Sequence, residues 1–598
     1  PLELPPAELE DLAEFDRAFA TACWRAIEPP YRAIDWQRDH RGGARWSVGT
    51  WYRDIRAATP RGADLKVPWE LARCDHLPRL ALGHGLALAT PAAGWPEPAA
   101  LMREFTNQIR DFIATNPPRF GVNWACAMDV SLRAVNWIVA HDLFRAAGVA
   151  FTPEFDALLT RSVWQHGHHV RRHLERAGPR RNNHYLADLV GLIFAGAWLP
   201  ADPETEGWLD LAVPALLEEI VHQFGPDGAS VEGSTCYHRF CAEMVTHALA
   251  VVLGSGRCRQ RLAACGAVDR AGAWAVPRDV AARLAGMAAF ARDVEGPDGR
   301  LLKIGDDDSG RFLHLGPHRA GESALVSAAL EALGSGASGR TIPGELAHLR
   351  ALASALTRGP RLESSGQHDR PVILDDHAAV PDLPGQPVTH LVLSTPSCDL
   401  QDGLEARHYP DFGLVIFRSH TLLLTVRCGS APGDWAHPLG HHHLDQLSVT
   451  LVVDGVTWIA DPGTYLYTSS PAWRDRYRSS QAHFGPQLPP ELIERTLAQG
   501  LFQLVDPPRG ELLAVSRTDF AGRLTDDGSV LAHVRIAIRR HAVEILATGR
   551  PFGPLENLPF APGYGRQDHK RPAVAPRVWN ALIAATGTDV HVNLEESE

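Results

Sequence analysis

Lysine is almost missing from this sequence. Lysine and arginine together number 58, but lysine occurs only at Lys66, Lys303 and Lys570, and the formal net charge is −12. A protein that binds nucleic acid through its phosphates needs an excess of positive charge, so this balance argues against a general nucleic-acid-binding role. Arginine suits carboxylate and sulfate ligands because its guanidinium is planar, although genome composition explains the bias more simply.

Long apolar runs are missing as well. No stretch of 18 or more consecutive apolar residues occurs, which excludes a membrane-spanning helix. Residues 1–15 carry neither the basic segment nor the apolar segment of a signal peptide. The chain does not begin with Met, which fits a leader already removed. The sequence therefore leaves the location open between the cytoplasm and the periplasm or exterior.

Regular cysteine motifs are also absent. The nine cysteines are scattered, and none forms a C-x-x-C pair. We therefore expect reduced, structural thiols, which favours a reducing compartment. The H-E-x-x-H pattern of metallopeptidases is missing too, which argues against that class of enzyme.

Helical periodicity dominates the first part of the chain. From about residue 64, apolar residues recur at helical spacing and no strand pattern interrupts them. The predicted helices are 64–87, 99–115, 128–146, 153–176, 183–198, 203–224, 235–253 and 277–294, with two weaker ones near 320–334 and 343–357. Because no sequence repeat accompanies these helix pairs, a closed toroid is favoured over a solenoid.

The pattern changes after about residue 358. A polar stretch rich in Pro and Gly at 358–387 is typical of a linker. Short alternating runs then indicate an antiparallel β-sandwich, at 390–394, 412–419, 421–427, 446–453, 456–460, 511–517, 529–538 and 542–547. Since 598 residues exceed what one core organises, we predict a helical domain at 1–370 and a β-sandwich domain at 371–598.

The segment 440–461 combines a histidine cluster with a predicted hairpin. Three consecutive histidines, beginning at His441, precede two strands joined by an Asp-Gly turn, and Asp461 ends the second strand. Imidazole and carboxylate are zinc ligands, so one histidine could bind metal while another transfers protons. A solvated histidine-rich loop is an equally good interpretation. A metal site requires the loop after His441 to curl back, so that His443 meets Asp461.

Two predicted helix starts carry further polar groups. Asn182 or Asn183 caps the helix near 183, where His184 follows and backbone N–H groups offer an anion site. The simpler interpretation of the two asparagines is capping alone.

Ser234 or Thr235 caps the helix near 235. Tyr237 and His238 lie in its first turn, close to Glu232. A single tyrosine at such a place is more often a core residue, but three polar groups near one helix start favour a site.

Two loops complete the list of candidates. The acidic turn at 304–312 could hold a cation or end the helical domain. The loop at 474–484 is rich in arginine, which could meet an anionic ligand. Position 477 of this loop, a tyrosine between two arginines, is a candidate substrate contact. His483 could supply a third metal ligand.

Four stretches together resemble the heparinase II/III family of polysaccharide lyases, in particular heparinase III, with alginate lyases of the same fold as relatives. They are DLKVPWELARCDHL, NPPRFGVNWACAMDVSLRAVNW, NNHYLADLVGL with EGSTCYH, and GHHHLDQLS followed by DPGTY and YRSSQAHF. They occur in the family's order and span most of residues 60–485. Two positions depart from the pattern: Phe484 follows the last histidine, where the family often has Asn, and His442 is an additional histidine.

The resemblance implies a multidomain α+β fold, with an N-terminal (α/α) toroid (an incomplete barrel) and a C-terminal antiparallel β-sandwich. It also implies β-elimination on a polysaccharide that contains uronic acid. By motif position, Asn183 neutralises the uronate carboxylate with help from His184, and Tyr237 and His441 act as acid and base. Which of the two is the base stays open.

The resemblance further implies a divalent metal, most simply a structural Zn²⁺, bound by His443, Asp461 and His483. The candidates for substrate contact are Trp124, Arg133, Asn182, Glu232, His238 and Tyr477. Core packing is an equally good interpretation of Trp124.

The expected partner is an anionic polysaccharide, a glycosaminoglycan of the heparan sulfate or heparinoid type, and the overall acidity favours a weakly sulfated one. Alginate is the alternative substrate. A uronate C5-epimerase and a non-catalytic polysaccharide-binding protein are the alternative functions. We expect no nucleic-acid or membrane partner, and the oligomeric state stays open.

Overall fold

The computed structural model describes residues 12, 14–91, 94–176, 181–266, 277–315, 372–373, 380–429, 440–585 and 587–595. In these residues, helices fill the N-terminal part of the chain and strands fill most of the C-terminal part. Among the helices of the described residues, none is long and apolar enough to cross a membrane. The helices predicted near 320–334 and 343–357 lie outside the described residues. So does the domain boundary at 370, which stays a prediction.

The N-terminal part is built from α-helices that follow one another closely. They are α1 (Glu14–Arg25), α2 (Lys66–Ala72), α3 (Leu77–Ala89), α4 (Pro98–Thr115), α5 (Ala127–Ala146), α6 (Pro153–Arg172), α7 (Asn183–Trp198), α8 (Pro203–Gln223), α9 (Thr235–Gly254), α10 (Gly256–Ala264) and α11 (Arg278–Asp293). The predicted helices from α4 to α9 and α11 are confirmed to within four residues at their ends. Proline at the first position of α4, α6 and α8 fixes φ where the chain enters each helix.

Alternate helices form the inner layer of a toroid. Helices α3, α5, α7 and α9 contact one another in this order, and the intervening helices α6 and α8 each pack against both of their neighbours in sequence. Helices α5 and α7 are buried on nearly every face, as expected of an inner layer enclosed by a second layer. The predicted helix at 64–87 is wrong in one respect. Cys74 has a φ of 56°, so the stretch divides into α2 and α3.

The C-terminal part begins with a six-stranded sheet of order β1-β3-β4-β5-β6-β7. Its strands are β1 (Val372–Ile373), β3 (Glu405–Tyr409), β4 (Leu414–Arg418), β5 (Leu422–Arg427), β6 (Val449–Val453) and β7 (Val456–Ile459). All pairings in it are antiparallel. The predicted Asp-Gly turn joins β6 to β7, with positive φ at Asp454 and Gly455.

A second six-stranded sheet contains the strands in the order β14-β2-β11-β10-β9-β8. Its members are β2 (Thr389–Ser394), β8 (Arg509–Val515), β9 (Asp519–Asp526), β10 (Ser529–Arg539), β11 (Ala542–Thr548) and β14 (Asp589–Asn593). Strand β14 pairs with β2 in parallel, and the other pairings are antiparallel. A separate pair is formed by β12 (Pro559–Gly563) and β13 (Arg566–Pro572). Three helices of this part escaped prediction: α12 (Pro471–Arg478), α13 (Pro490–Leu497) and α14 (Pro576–Ala584).

The first sheet is covered on both faces, which explains why β5 and β6 are buried along their whole length. One face meets the second sheet in a core that includes Leu424, Leu451 and Ile536. The other face meets the helical part, where Phe290 of α11 packs against Tyr409 and Phe412. The sandwich is therefore held directly against the toroid.

Candidate active site

The polar candidates from both parts of the chain converge at the N-termini of α7 and α9. Asn182 is the N-cap of α7, and its side chain accepts hydrogen bonds from the backbone N–H groups of His184 and Tyr185. Ser234 is the N-cap of α9 and accepts from the backbone N–H of Tyr237. Because α7 and α9 are adjacent inner helices, their caps place Asn183 and Tyr237 at the same end of the toroid.

Tyr237 and His441 lie face to face, although one belongs to a helix and the other to the histidine loop. Their ring centroids are 3.6 Å apart and their planes differ by 18°. Tyr237 is 7% exposed. The stacked pair is the most direct contact between the two parts of the chain at this site.

Glu232 connects Asn183 to His441. One carboxylate oxygen of Glu232 accepts from both the backbone N–H and the side-chain amide of Asn183, at 2.8 and 3.0 Å. Its other oxygen lies 3.8 Å from Nε2 of His441. The side-chain oxygen of Asn183 is buried and has no hydrogen-bond partner. The structure thus brings together four of the predicted site residues, Asn183, Tyr237, His441 and Glu232.

His184 sits beside this group and is paired with a carboxylate that the sequence did not suggest. Its Nδ1 lies 3.1 Å from Oε2 of Glu175, and the same oxygen accepts from the backbone N–H of Met128 at 2.9 Å. Cys126 lies within 3.9 Å of both side chains. Burial alone would lower the pKa of His184, but Glu175 raises it above the ordinary histidine value.

The acidic turn after α11 supplies the carboxylate at the centre of the site. Asp306 is fully buried, and its two oxygens bind Arg474 in a bidentate ion pair. The same carboxylate also lies 2.9 Å from Nδ1 of His441 and 2.9 Å from Nε2 of His443. Burial alone would raise the pKa of Asp306, but Arg474 and the histidines hold it well below its usual range.

A second carboxylate of that turn holds the tyrosine. The hydroxyl of Tyr237 donates to Oδ2 of Asp308 at 2.8 Å, and the ammonium of Lys66 donates to the same oxygen at 2.9 Å. Burial and the neighbouring carboxylate of Asp308 raise the pKa of Tyr237 well above its ordinary value. Sequence reasoning did not single out Lys66, and it treated the acidic turn only as a possible cation site or domain end. The only signal was three consecutive aspartates after the last strong helix.

The three predicted metal ligands form a buried cluster. One ligand atom each from His443, Asp461 and His483 lie within 4.8 Å of one another, and all three side chains are buried. The loop after His441 curls back as the metal interpretation requires, with a φ of 61° at Leu447.

These residues fit a divalent ion. Nδ1 of His443 and Nε2 of His483 are buried without a hydrogen-bond partner, and two imidazoles with a carboxylate are a donor set that zinc accepts. His442 does not belong to the cluster; its ring packs against Gly233, where an added Cβ would lie about 2.1 Å from it.

Four predicted substrate contacts lie away from the group formed by Asn183, Tyr237 and His441. Arg133 is fully buried and donates to His166 and to the backbone carbonyl of Asn123. Trp124 is buried and donates to the carbonyl of Asn116. The structure gives both side chains partners inside the toroid and does not bring them to the site.

His238 and Tyr477 likewise have internal partners. His238 contacts the backbone N–H of Ser230 and the carbonyl of Met287. Tyr477 donates to the carbonyl of Pro559. In the loop around Tyr477 it is Arg474 that reaches the site, through Asp306.

Family models match both parts of the chain. The model described as heparinase II/III N-terminus matches residues 34–260, and the model described as heparinase II/III-like, C-terminal, matches residues 401–483. Together they cover just over half of the sequence. The chain belongs to the heparinase II/III family.

One solved structure supports the fold that this family implies. The crystal structure of heparinase III aligns with a TM-score of 0.50 and 15% identity, over 88% of this chain and 69% of that one. Heparan sulfate lyase HepC from Pedobacter heparinus aligns with a TM-score of 0.41 and 18% identity, over 89% of this chain and 68% of that one. No curated protein matches the sequence significantly. The prediction of an (α/α) toroid followed by an antiparallel β-sandwich is confirmed.

Proposed function

We propose that this heparinase II/III family member is a lyase that cleaves a uronic-acid-containing polysaccharide by β-elimination. The observation that carries the proposal is the stack of Tyr237 on His441, with Asn183 joined to the same group through Glu232. Two groups able to transfer protons thus lie next to an amide at a helix N-terminus. β-Elimination on a uronate needs these three functions: a neutralised carboxylate, a base and an acid.

Asn183 neutralises the uronate carboxylate in this proposal, with His184 beside it. Its amide N–H donates to the carboxylate of Glu232, which supports a role for this amide in binding a carboxylate. The N-terminus of α7 adds the positive end of a helix dipole. A neutralised carboxylate makes the proton on the adjacent C5 acidic.

His441 is the base. Its Nδ1 is held by Asp306 at 2.9 Å, which leaves Nε2 to accept a proton on the side of Asn183 and Glu232. Nε2 takes the C5 proton, and the electron pair of that C–H bond forms the C4–C5 double bond. The bond from C4 to the glycosidic oxygen breaks as the double bond forms.

Tyr237 is the acid and gives its proton to the departing glycosidic oxygen. Its hydroxyl already donates to Asp308, and its raised pKa keeps the proton on it at neutral pH. A tyrosine acting as base would need nearby positive charge, whereas Tyr237 faces carboxylates. After the reaction His441 releases its proton to solvent and Tyr237 takes up a proton from solvent, so both groups return to their starting states.

The metal is proposed to be a structural Zn²⁺ bound by His443, Asp461 and His483. Such an ion fixes the loops that carry its ligands. It supplies no step of the elimination.

The proposed substrate is a glycosaminoglycan of the heparan sulfate type. The support for it is that the matched structures are a heparinase III and a heparan sulfate lyase. Alginate is the alternative polymer.

The test is the ultraviolet absorbance of the conjugated, unsaturated uronyl product. The purified protein is incubated with heparan sulfate, heparin, hyaluronan, chondroitin, dermatan and alginate. We expect a steady rise with heparan sulfate, and a loss of about 100-fold or more in kcat for Tyr237→Phe. The matched control is Tyr185→Phe, which changes a buried tyrosine in the first turn of α7 and should keep kcat within about threefold.

The other outcomes are equally informative. Exchange of solvent deuterium into C5 without a rise in absorbance would replace the lyase by a C5-epimerase. Saturable binding with neither signal would replace it by a binding protein. A rise with alginate alone would change the substrate class and keep the chemistry.

A further inference from the structure

Asp306 lies where the toroid, the histidine loop and the arginine-rich loop meet. Its backbone N–H donates to the carbonyl of His441 at 3.0 Å, and its own carbonyl accepts from the hydroxyl of Ser234, the N-cap of α9. These two bonds fix the main chain on either side of the carboxylate. The side chain therefore has little freedom to move away from the two histidines.

The two carboxylate oxygens are divided between two histidines with different proposed tasks. Oδ2 faces Nδ1 of His441 at 2.9 Å, and Oδ1 faces Nε2 of His443 at 2.9 Å. An ionised carboxylate only accepts hydrogen bonds. Each histidine must therefore carry its proton on the nitrogen that faces Asp306.

This arrangement fixes both tautomers. With its proton on Nδ1, neutral His441 presents the lone pair of Nε2. With its proton on Nε2, His443 presents the lone pair of Nδ1, which is the buried nitrogen that has no other partner. A carboxylate behind a metal-ligating histidine orients the ring and raises its basicity.

We infer that Asp306 is a positioning residue shared by the base and the metal site, so that one carboxylate prepares His441 to take a proton and His443 to bind the ion. The half of the inference that concerns His441 rests on the proposed function. The half that concerns His443 does not need it. Arg474, which pairs with both oxygens of Asp306, keeps the carboxylate in this orientation.

The decisive variant is Asp306→Asn. An amide offers one accepting oxygen and one donating NH₂, so it can satisfy only one of the two histidines in its present tautomer. If the NH₂ faces His441, the proton moves to Nε2 and the base is lost. If the NH₂ faces His443, the proton moves to Nδ1 and that ligand is lost.

Two quantities are measured on the 598-residue chain, with circular dichroism as the check on folding. The first is the zinc dissociation constant, from competition with a chromogenic chelator, together with the visible spectrum of the Co²⁺ form. The second is kcat and KM on the polymer that the wild type cleaves. For Asp306→Asn we expect the loss that the orientation of the amide selects. If its NH₂ faces His443, zinc binding should weaken about 10–100-fold and the Co²⁺ spectrum should change. If its NH₂ faces His441, kcat should fall about 100-fold with KM within about threefold.

The matched control is Asp307→Asn. Asp307 is the next residue of the same turn and pairs with Lys303, not with a histidine. It measures the cost of losing a neighbouring carboxylate from this turn, and we expect zinc affinity and kcat within about threefold of wild type.

Two results would overturn the inference. Wild-type zinc affinity together with wild-type kcat in folded Asp306→Asn would show that Asp306 prepares neither histidine. Equal losses in Asp307→Asn would show that the turn, not the shared carboxylate, is responsible. If the wild type cleaves no polymer, the proposed function fails, while the zinc measurements still decide the metal half.

If Asp306→Asn does not fold, the imidazole ¹⁵N chemical shifts of the metal-free wild type replace it. The inference predicts a proton on Nδ1 of His441 and on Nε2 of His443. The opposite tautomer at either histidine would contradict that half of the inference.

Discussion

The pairing of Glu175 with His184 has a consequence for stability that depends on pH. Burial alone would raise the pKa of Glu175, but His184 and the backbone of Met128 lower it to about 2. The pKa of His184 is raised, chiefly by Glu175 acting against burial. The depressed carboxyl stabilises the fold above its unfolded pKa near 4.3, and the raised imidazole stabilises it below its unfolded pKa near 6.5. The pair is therefore strongest between these two values.

We predict that the coupling between Glu175 and His184 is greatest at about pH 5.5. It should fall toward zero as pH rises through the raised pKa of His184, and again as pH falls through about 2. The measurement is a double-mutant cycle with Glu175→Gln and His184→Gln in urea unfolding at about pH 5.5 and about pH 9. We expect about 1 kcal/mol at the lower pH, because both side chains are partly exposed. A coupling equal at both pH values would show that the contact is not ionic.

At the scale of elements, a glycine at the crossing of α5 and α7 allows these two inner helices to approach closely. Gly191 of α7 faces Ser131 of α5, and a Cβ at Gly191 would lie 2.6 Å from the Ser131 Cβ and 3.0 Å from its Cα. Because a backbone atom is among the contacts, a rotamer change cannot make room. The start of α7, which carries Asn183, depends on this approach.

We predict that Gly191→Ala destabilises the protein by about 1–3 kcal/mol, because overpacking forces the two helices apart. The control is Gly207→Ala in α8, where an added Cβ has nothing within 4 Å. That change should stabilise by about 0.5–1 kcal/mol, because alanine is the better helix former. Thermal unfolding of the three proteins measures both effects. Shifts of the same sign in the two variants would refute the packing argument.

At the scale of the whole molecule, the toroid and the sandwich share an apolar interface. Phe290 of α11 is fully buried, with ring centroids 4.9 Å from Tyr409 and 4.8 Å from Phe412. The hydroxyl of Tyr409 donates to Asp293 at the end of the same helix. The site needs this interface, because Tyr237 and His441 come from opposite sides of it.

We predict that Phe290→Ala costs about 3–5 kcal/mol and separates the unfolding of the two parts into distinct transitions. Phe105→Ala is the matched control, since it removes an equally buried ring from the core of the toroid. It should destabilise the toroid without loosening its contact with the sandwich. Calorimetry distinguishes the two cases. A single transition in Phe290→Ala, shifted only as far as that of Phe105→Ala, would contradict a special role for the interface.

Much of this protein could be predicted from local pattern. Helical spacing predicted α4 to α9 closely, because these helices are long and their apolar residues recur at helical spacing. The Asp-Gly turn located β6 and β7. Strands β1, β3, β9, β12, β13 and β14 were missed. In β3 and β9 the reason is that buried and exposed residues do not alternate regularly. The motifs singled out Asn183, Tyr237, His441 and the three metal candidates, and the structure brings these side chains close together.

What only the tertiary structure decided is which charges meet. Asp306 binds Arg474 and two histidines from more than a hundred residues away, and Asp308 meets Lys66 across 242 residues. Nothing in the local sequence distinguishes an aspartate that caps a turn from one that pairs with two histidines and an arginine, since both are polar residues in a loop. Burial settles the difference, because a carboxylate removed from water needs partners. The local sequence thus determined most of the elements and the candidate site residues, and the packing of the sandwich on the toroid determined how those side chains are held.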